Sequence, residues 1–155
     1  MVAGSRRAQR LRESSTVYLA PRAVMVDSNV LIDVIDNDPR WAEWSLGQLE
    51  AAMLGGGLVI SPIIYAELAA GFADVETLEA AIAPFGLLRD PLPWEAAFMA
   101  SQAYKRYRRQ GGTKRSPMPD FYIGAHASLA GYRLLTRDAR RYREHFSKLE
   151  LIAPN

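Results

Sequence analysis

Short apolar runs alternate with longer segments of helical periodicity along most of this chain, and that alternation restricts the folds open to it. The runs are VMVD, LVIS, GLLR, RLLT and LELIA, which start at residues 24, 58, 86, 133 and 149. Parallel strands need a crossover between them, and a helix between successive strands provides it. We therefore predict an α/β fold: a three-layer α/β/α domain with a central, mostly parallel sheet of about five strands.

The length and composition are those of one domain. The chain has 155 residues, of which 49% are hydrophobic and 23% charged, which suits a single apolar core. Residues 1–23 show no periodicity, so we predict a flexible leader there and a domain over residues 24–155, with Met25 as an alternative start. No apolar run is long enough to span a bilayer and no cysteine is present, which favours a cytoplasmic protein.

Four acidic residues interrupt or end apolar segments, where an ionised carboxylate must be paired or bound to metal. They are Asp27, Glu67, Asp120 and Asp138. Asp27 ends the first predicted strand and Asp138 follows the fourth, and open parallel sheets bind ligands at this carboxyl edge. Glu67 lies in the helix after LVIS, and Asp120 starts the helix before RLLT, so both could reach the same edge. If the four converge, a divalent cation is the natural counter-charge.

Three of the four acids also have an ordinary structural explanation. Asp120 could cap its helix by accepting backbone N–H bonds, Asp27 could face a turn, and Asp138 could cap the basic helix that follows it. Capping and metal binding do not exclude each other. Glu67 stands in the middle of an apolar helix, where no such role explains it.

Basic residues lie close in sequence to two of these acids, in one block before Asp120 and another around Asp138. The first block contains Lys105, Arg106, Arg108, Arg109, Lys114 and Arg115, and the second contains Arg137, Arg140, Arg141 and Arg143. The net charge of +2 says little by itself, because residues 1–24 hold five arginines against one glutamate. Cations beside carboxylates suit a polyanionic substrate that is drawn toward a metal, although either block could also be a solvated helix face.

These residues lie in segments that resemble the successive motifs of the PIN-domain ribonucleases, and especially of the VapC toxins of toxin–antitoxin pairs. The segments are VMVDSNVLIDVI, SPIIYAELAAGF, PMPDFYIGAHASLAG and YRLLTRDARRYREHF, followed by LELIAP. Each motif alone is weakly specific, whereas their order and spacing together are specific. The resemblance spans Met25 to Pro154 and is closest from Gly111 onward.

The resemblance implies a three-layer α/β/α domain, usually a homodimer, in which four acids hold Mg²⁺ or Mn²⁺ and hydrolyse RNA. Carried over motif by motif, the catalytic and metal-holding acids are Asp27, Glu67, Asp120 and Asp138, and Asn29 and Thr136 match positions that hold such carboxylates by hydrogen bonds. The implied partners are an RNA substrate and a cognate antitoxin protein, with no membrane. The leader departs from the family, whose members commonly begin at the first strand.

Phosphodiester hydrolysis agrees with these residues independently of the resemblance. The reaction needs a nucleophilic water and a neutralised leaving oxygen, and one or two carboxylate-held Mg²⁺ ions can supply both. We expect no protein nucleophile, since Ser28 has no histidine in its segment. His126 follows Asp120 by six residues, about 240° around the helix, and cannot share its metal. His145 lies in a polar segment that we expect to be exposed.

Other functions of acidic sites on parallel sheets fit less well. An aspartyl phosphatase typically needs a second aspartate two residues after the first, where this chain has Asn29. A receiver domain needs its phosphoacceptor at the end of a middle strand, but LVIS ends in Ser61. Two alternatives stay open: a PIN-domain nuclease of RNA maturation, and a non-catalytic PIN domain that only binds a partner.

Two tryptophans, Trp41 and Trp44, lie three residues apart on a predicted helix. Packing in the core would explain them. An apolar helix of a partner would explain them too, because tryptophan is a frequent anchor at interfaces. We therefore predict that an antitoxin fills a groove near this pair.

Overall fold

Five short strands form one parallel sheet at the centre of the molecule. In the computed structural model, which describes residues 22–115 and 118–155, the strands are Val24–Val26 (β1), Leu58–Ile60 (β2), Leu88–Arg89 (β3), Arg133–Leu135 (β4) and Leu151–Ile152 (β5). Their order across the sheet is β3-β2-β1-β4-β5, and each neighbouring pair is parallel. The predicted α/β fold with a central parallel sheet is confirmed.

Helices connect the strands and flank the sheet. They are Ser28–Ile35 (α1), Ala42–Leu54 (α2), Pro62–Ala69 (α3), Val75–Ile82 (α4), Trp94–Arg109 (α5), Pro119–Ala130 (α6) and Arg140–His145 (α7), with a 3₁₀ turn at Ala83–Phe85. Ser61 starts α3 by accepting the N–H of Ile64, and Gly131 ends α6 in the left-handed region at φ 76°. No helix in the part of the chain that the structure describes is long and apolar enough to cross a membrane.

The core fixes the two elements that matter most for the candidate site, β1 and α6. All three residues of β1 are fully buried. α6 is buried on several sides, and its Gly124 allows the ring of Phe146 to approach within 2.5 Å of the position that a β-carbon would occupy. A larger residue there would push α7 away from α6, so this glycine sets the distance between the two helices.

The first described residues already belong to the domain. β1 begins at Val24, one residue earlier than a start at Met25 would allow, and Val24 is fully buried. Arg22, which the sequence assigned to the leader, donates a hydrogen bond of 2.6 Å to Glu150. The rest of the predicted leader, residues 1–21, lies outside the described residues.

Candidate functional site

The carboxyl ends of β1 and β4 place two polar side chains next to each other. Val26 pairs with Leu135 in the parallel ladder, so Asp27 and Thr136 each follow an aligned residue. Adjacent strands lie about 4.8 Å apart, which brings the two side chains within hydrogen-bonding reach. This is the sheet edge at which the sequence predicted a site.

Asp27 is only 5% exposed, and its hydrogen bonds fix the orientation of its carboxylate. Oδ1 accepts the backbone N–H of Ser28 at 2.9 Å and so caps α1. Oδ2 accepts from the hydroxyls of Thr136 and Tyr142, each at 2.9 Å. Burial raises the pKa of Asp27, the two hydroxyls lower it, and the charge of Asp120 raises it again. A preoriented carboxylate therefore lies close to a second negative charge.

Glu67 has a buried carboxylate oxygen, Oε1, with no hydrogen-bond donor in the part of the chain that the structure describes. Burial, followed by the charges of Asp27 and Asp120, raises the pKa of Glu67 to about 7, and the hydroxyl of Ser28 opposes this only in part. Three separate elements thus bring Asp27, Glu67 and Asp120 within electrostatic reach of one another.

Asp120 lies in the first turn of α6 and is held from two directions by α7. Its Oδ2 accepts from Nη1 of Arg141 at 2.7 Å, and its Oδ1 accepts from the hydroxyl of Tyr142 at 3.4 Å. Met118 occupies the cap position of α6, so the capping role considered for Asp120 does not apply. The carboxylate faces the site, with an arginine of the chain itself as its counter-charge.

Asp138 stands apart from the other three acids. Its side chain is exposed, and it is not among the groups that shift the pKa of Asp27 or Glu67. Its backbone N–H donates to Oγ1 of Thr136 at 3.1 Å, and the residue lines a polar cavity of about 390 Å³ together with Arg141. The structure therefore gathers three of the predicted acids and leaves Asp138 at the rim.

Asn29 and Thr136, the two predicted supporting residues, have different hydrogen-bonding roles at the site. Thr136 donates directly to a site carboxylate, that of Asp27. Asn29 donates from Nδ2 to the Thr136 hydroxyl at 3.4 Å and accepts the backbone N–H of Arg137 at 3.1 Å. Asn29 therefore holds the loop after β4 and orients the hydroxyl of Thr136, rather than bonding to a carboxylate itself.

Sequence reasoning missed Tyr142. Its ring is almost completely buried and its hydroxyl contacts both Asp27 and Asp120, which links β1 to α6. Burial first, and then the neighbouring carboxylates, hold the pKa of Tyr142 well above its ordinary value, so it donates its proton. A tyrosine inside a basic segment gives no sequence signal for such a contact.

Asp33 is a fifth acid in an apolar segment, and its role is structural. It is 1% exposed, accepts from Ser45 at 2.7 Å, and forms a two-point ion pair with Arg137 at 2.8 and 2.9 Å. Because Arg137 is committed to Asp33, it is the member of the second basic block least able to contact a substrate.

The two histidines lie outside the acidic cluster. Nε2 of the buried His126 is 3.1 Å from Asp90. The expectation that His145 is exposed is wrong: it is buried, and its ring packs on Phe121 with 5.1 Å between centroids. Burial lowers the pKa of His145. His145 is buried because it is the last residue of α7 and its ring faces α6, although the sequence of α7 is polar.

The tryptophan pair is partly covered by the chain itself. Trp41 and Trp44 pack edge to face with 6.0 Å between ring centroids, and Trp44 also packs on the core. The guanidinium groups of Arg40 and Arg137 lie 5.1 and 5.4 Å from the centre of the Trp41 ring. These contacts explain both tryptophans without a partner.

The acidic cluster suits a hard divalent cation. Carboxylate oxygens are the ligands that Mg²⁺ prefers, and Oε1 of Glu67 has no other partner among the described residues. As they stand, no three Asp, Glu or His side chains of residues 22–115 and 118–155 are placed to hold one ion, and Arg141 already occupies an oxygen of Asp120. Mg²⁺ typically uses one or two protein carboxylates and keeps several waters, so a three-residue cage is not required.

Comparison with known proteins identifies related chains. The family model of the PIN domain matches residues 24–146. A search of curated proteins found no sequence relative. Among solved structures, the chain is similar to VapBC2 from Rickettsia felis bound to a promoter DNA fragment, with 19% identity and a TM-score of 0.67 over 85% of this chain and 98% of that one.

Two further structures have the same fold. DNA-bound VapBC from Salmonella typhimurium is 23% identical, with a TM-score of 0.62 over 85% of this chain and 98% of that one. VapBC-1 from nontypeable Haemophilus influenzae is 22% identical, with a TM-score of 0.61 over 84% and 96%. At these identities the likeness establishes the fold.

Proposed function

The chain belongs to the PIN-domain family, and on that premise we propose that it is a Mg²⁺-dependent endoribonuclease, the toxin component of a toxin–antitoxin pair. The observation that carries the proposal is that Asp27, Glu67 and Asp120 lie within electrostatic reach of one another, while a buried oxygen of Glu67 has no hydrogen-bond donor among the described residues. Three mutually repelling carboxylates are costly unless a cation joins them. Arg141 offsets part of this repulsion at Asp120, whereas the buried oxygen of Glu67 has no partner among the described residues.

Of Asp27, Glu67 and Asp120, one or two would bind the ion directly and the rest would act through metal-bound water, with Asp138 as an outer ligand or a holder of such a water; Mn²⁺ could replace Mg²⁺. When bound, the ion supplies a nucleophilic water and neutralises charge on the leaving oxygen. No side chain of the chain needs to form a covalent bond to phosphorus.

The chain's own residues prepare this site. Thr136 and Tyr142 keep Asp27 in one orientation, which lowers the reorganisation that binding requires. Burial and the neighbouring carboxylates raise the pKa of Glu67 to about 7 in the metal-free protein, and a bound cation would favour its ionised, ligating form. Arg140 is largely exposed at the rim and can attract a phosphate.

RNA as the substrate is supported by the basic end of α5 and by α7. Both helices carry exposed arginines close to the acidic cluster in the fold, since α7 packs on α6 and also contacts α5. Exposed cations at the rim of a metal site guide a polyanion and do not depend on its sequence. Discrimination of RNA from DNA is proposed from the family alone.

A cognate antitoxin is the proposed protein partner, acting with the toxin in the cytoplasm, because the similar structures named above are VapBC structures and the sequence resembles the VapC toxins of toxin–antitoxin pairs. Since Trp41 and Trp44 are partly covered, we place its contact on the exposed apolar side chains farther along the same helix, α2, which are Leu46, Met53 and Leu54. A homodimer is proposed through α5, where Trp94 is 90% exposed and Phe98 69% exposed.

Purified protein tests the nuclease directly. Incubation with single-stranded RNA in Mg²⁺, in Mn²⁺ and in chelator should give endonucleolytic products only with metal, and the matched single-stranded DNA should stay intact. Identical product yields in chelator would overturn the metal-dependent mechanism. RNA left intact under all conditions, by folded protein that binds Mg²⁺, would favour the non-catalytic alternative.

Growth experiments separate the toxin from an RNA-maturation enzyme. We expect induced expression of the active protein to stop growth, and co-expression of a small neighbouring gene product to restore it. Harmless expression of an enzyme that cleaves RNA in vitro would favour the maturation role.

A further inference from the structure

An apolar pocket of about 260 Å³ opens beside the acidic cluster, at the carboxyl ends of β2 and β3. Ile60, Pro62 and Pro91 contribute to its apolar lining. Pockets for drug-sized ligands measure about 300–1,000 Å³, so a pocket of this size suits one small planar group. The nuclease mechanism described above does not use it.

Strand register places this pocket next to the proposed metal-holding acids. Met25 pairs with Val59, so Asp27 and Ser61 each lie two residues beyond an aligned pair. Ile60 pairs with Arg89, so the residues that follow them, Ser61 and Asp90, also lie side by side at the ends of β2 and β3. Adjacent strands are about 4.8 Å apart, which spaces Asp27, Ser61 and Asp90 as a row across the sheet edge.

One wall of the pocket is a fixed stack of an aromatic ring and a guanidinium group. Tyr65 and Arg89 both line the cavity, and the Arg89 guanidinium lies 5.2 Å from the centre of the Tyr65 ring. Glu79 holds both: it accepts from the Tyr65 hydroxyl at 2.8 Å and forms an ion pair with Arg89. Flat, preorganised surfaces of this kind are what unpaired bases stack on.

Asp90 is one of the polar residues that line the pocket, together with Ser61, Tyr65 and Arg89, and its side chain is 33% exposed. Its Oδ2 accepts from the Tyr132 hydroxyl at 2.6 Å and is 3.1 Å from Nε2 of His126. Both contacts fall on one oxygen, and no donor from residues 22–115 and 118–155 bonds to Oδ1. Asp90 is therefore held in place with an acceptor left for a ligand.

We propose that this pocket binds one unpaired base of the RNA substrate, next to the phosphate at the acidic cluster, and favours bases that carry an amino group over uracil. The proposal rests on the nuclease function proposed above and adds a specificity site to it. An ionised carboxylate only accepts hydrogen bonds, and the amino groups of adenine, cytosine and guanine donate them. Uracil offers a single N–H between two carbonyl oxygens, which the carboxylate repels.

Binding of short RNAs to the Asp120→Asn protein, which should not cleave them, tests this pocket. Fluorescence anisotropy in Mg²⁺ would compare a hexamer of alternating adenosine and cytidine with a uridine hexamer, since neither forms base pairs with itself. We expect the adenosine–cytidine hexamer to bind at least about fivefold more tightly, because stacking and one hydrogen bond favour it.

Three further substitutions at two positions, made in the same background, assign that difference to the pocket. Asp90→Asn keeps an acceptor for Tyr132 and should reduce the preference to less than about twofold. Tyr65→Ala should weaken both hexamers by about fivefold or more, whereas Tyr65→Phe keeps the ring and should bind like the parent. Thermal melting of each variant would establish that it is folded.

The outcomes distinguish this proposal from the nuclease proposal. RNA that is bound with no base preference, or with a preference that survives Asp90→Asn and Tyr65→Ala, would overturn the base pocket alone. Failure of the Asp120→Asn protein and of the parent in Ca²⁺ to bind any RNA would overturn both proposals. Loss of antitoxin binding in Tyr65→Ala with unchanged RNA affinity would assign the pocket to the protein partner instead.

Discussion

Arg141 donates a hydrogen bond of 2.7 Å to Oδ2 of Asp120, so a cation of the chain itself neutralises a carboxylate that we propose as a metal holder. The next residue, Tyr142, reaches the other oxygen of the same carboxylate. A divalent cation and Arg141 therefore compete for Asp120. The ion pair also explains why Asp120 can approach Asp27 and Glu67 in the metal-free protein.

The first prediction concerns that competition. Arg141→Gln should tighten Mg²⁺ binding by about two- to fivefold, because a partly exposed ion pair is worth about 1 kcal/mol or less. Isothermal titration with Mg²⁺ measures the change. Arg140→Gln is the matched control, since Arg140 pairs with Glu144 on the solvent side and should bind Mg²⁺ like the parent. Weaker Mg²⁺ binding in Arg141→Gln would contradict competition and make Arg141 a supporting residue of the site.

A second prediction separates the gathered acids from the one at the rim. Asp120→Asn should lower the cleavage rate by more than about 100-fold, since loss of a group that merely supports a ligand already costs about 10- to 100-fold. Asp138→Asn, at the exposed position, should lose about tenfold. Rates on one RNA substrate at saturating Mg²⁺ provide the test. An Asp120→Asn protein within about threefold of the parent would remove Asp120 from the site.

A third prediction tests the structural role of the fifth acid. Asp33→Asn should destabilise the protein by about 2–4 kcal/mol, because it leaves the two-point partner Arg137 without its buried counter-charge. Asp36→Asn, an exposed position at the end of the same helix, should stay within about 0.5 kcal/mol of the parent. Denaturant unfolding in chelator compares the variants. Equal stability of the two would mean that Arg137 finds another partner at no cost.

The architecture could be predicted because each strand is a short apolar run between helical segments. β1, β2 and β4 lie where VMVD, LVIS and RLLT predicted them, since fully buried parallel strands have few polar positions. β3 and β5 have only two residues each and are recognisable in sequence mainly by the helices on either side.

Side-chain partners were less predictable, because a single sequence does not reveal which charges meet. Asp33 and Glu67 both interrupt apolar helices, yet Arg137 neutralises only Asp33, from a loop that follows β4. On α5 the small residues Ala96, Ala100 and Ala103 are buried, whereas the aromatic residues Trp94 and Phe98 are exposed. Such outcomes depend on tertiary contacts between residues far apart in sequence.

The last prediction follows from the raised pKa of Glu67. In the unfolded chain this carboxyl ionises near pH 4.5, whereas in the folded, metal-free protein its pKa is about 7. Folding therefore favours the protonated form, so its contribution to stability is fully present below about pH 4.5 and is lost as the pH rises through 7. Bound Mg²⁺ favours the ionised form and should reverse the trend. At 100 times its dissociation constant, one ion adds about 2.7 kcal/mol.

Thermal melting between about pH 5 and pH 8, in chelator and in saturating Mg²⁺, compares the parent with Glu67→Gln. The variant has no charge to titrate at this position, so its melting temperature in chelator should fall less with pH and should equal or exceed that of the parent at pH 8. Its gain from Mg²⁺ should be smaller, because one ligand is missing. Glu50→Gln changes an exposed glutamate of α2 and should follow the parent in both buffers. If Glu67→Gln melts below the metal-free parent at pH 8 and still gains as much from Mg²⁺, then Glu67 stabilises the fold and the ion binds elsewhere.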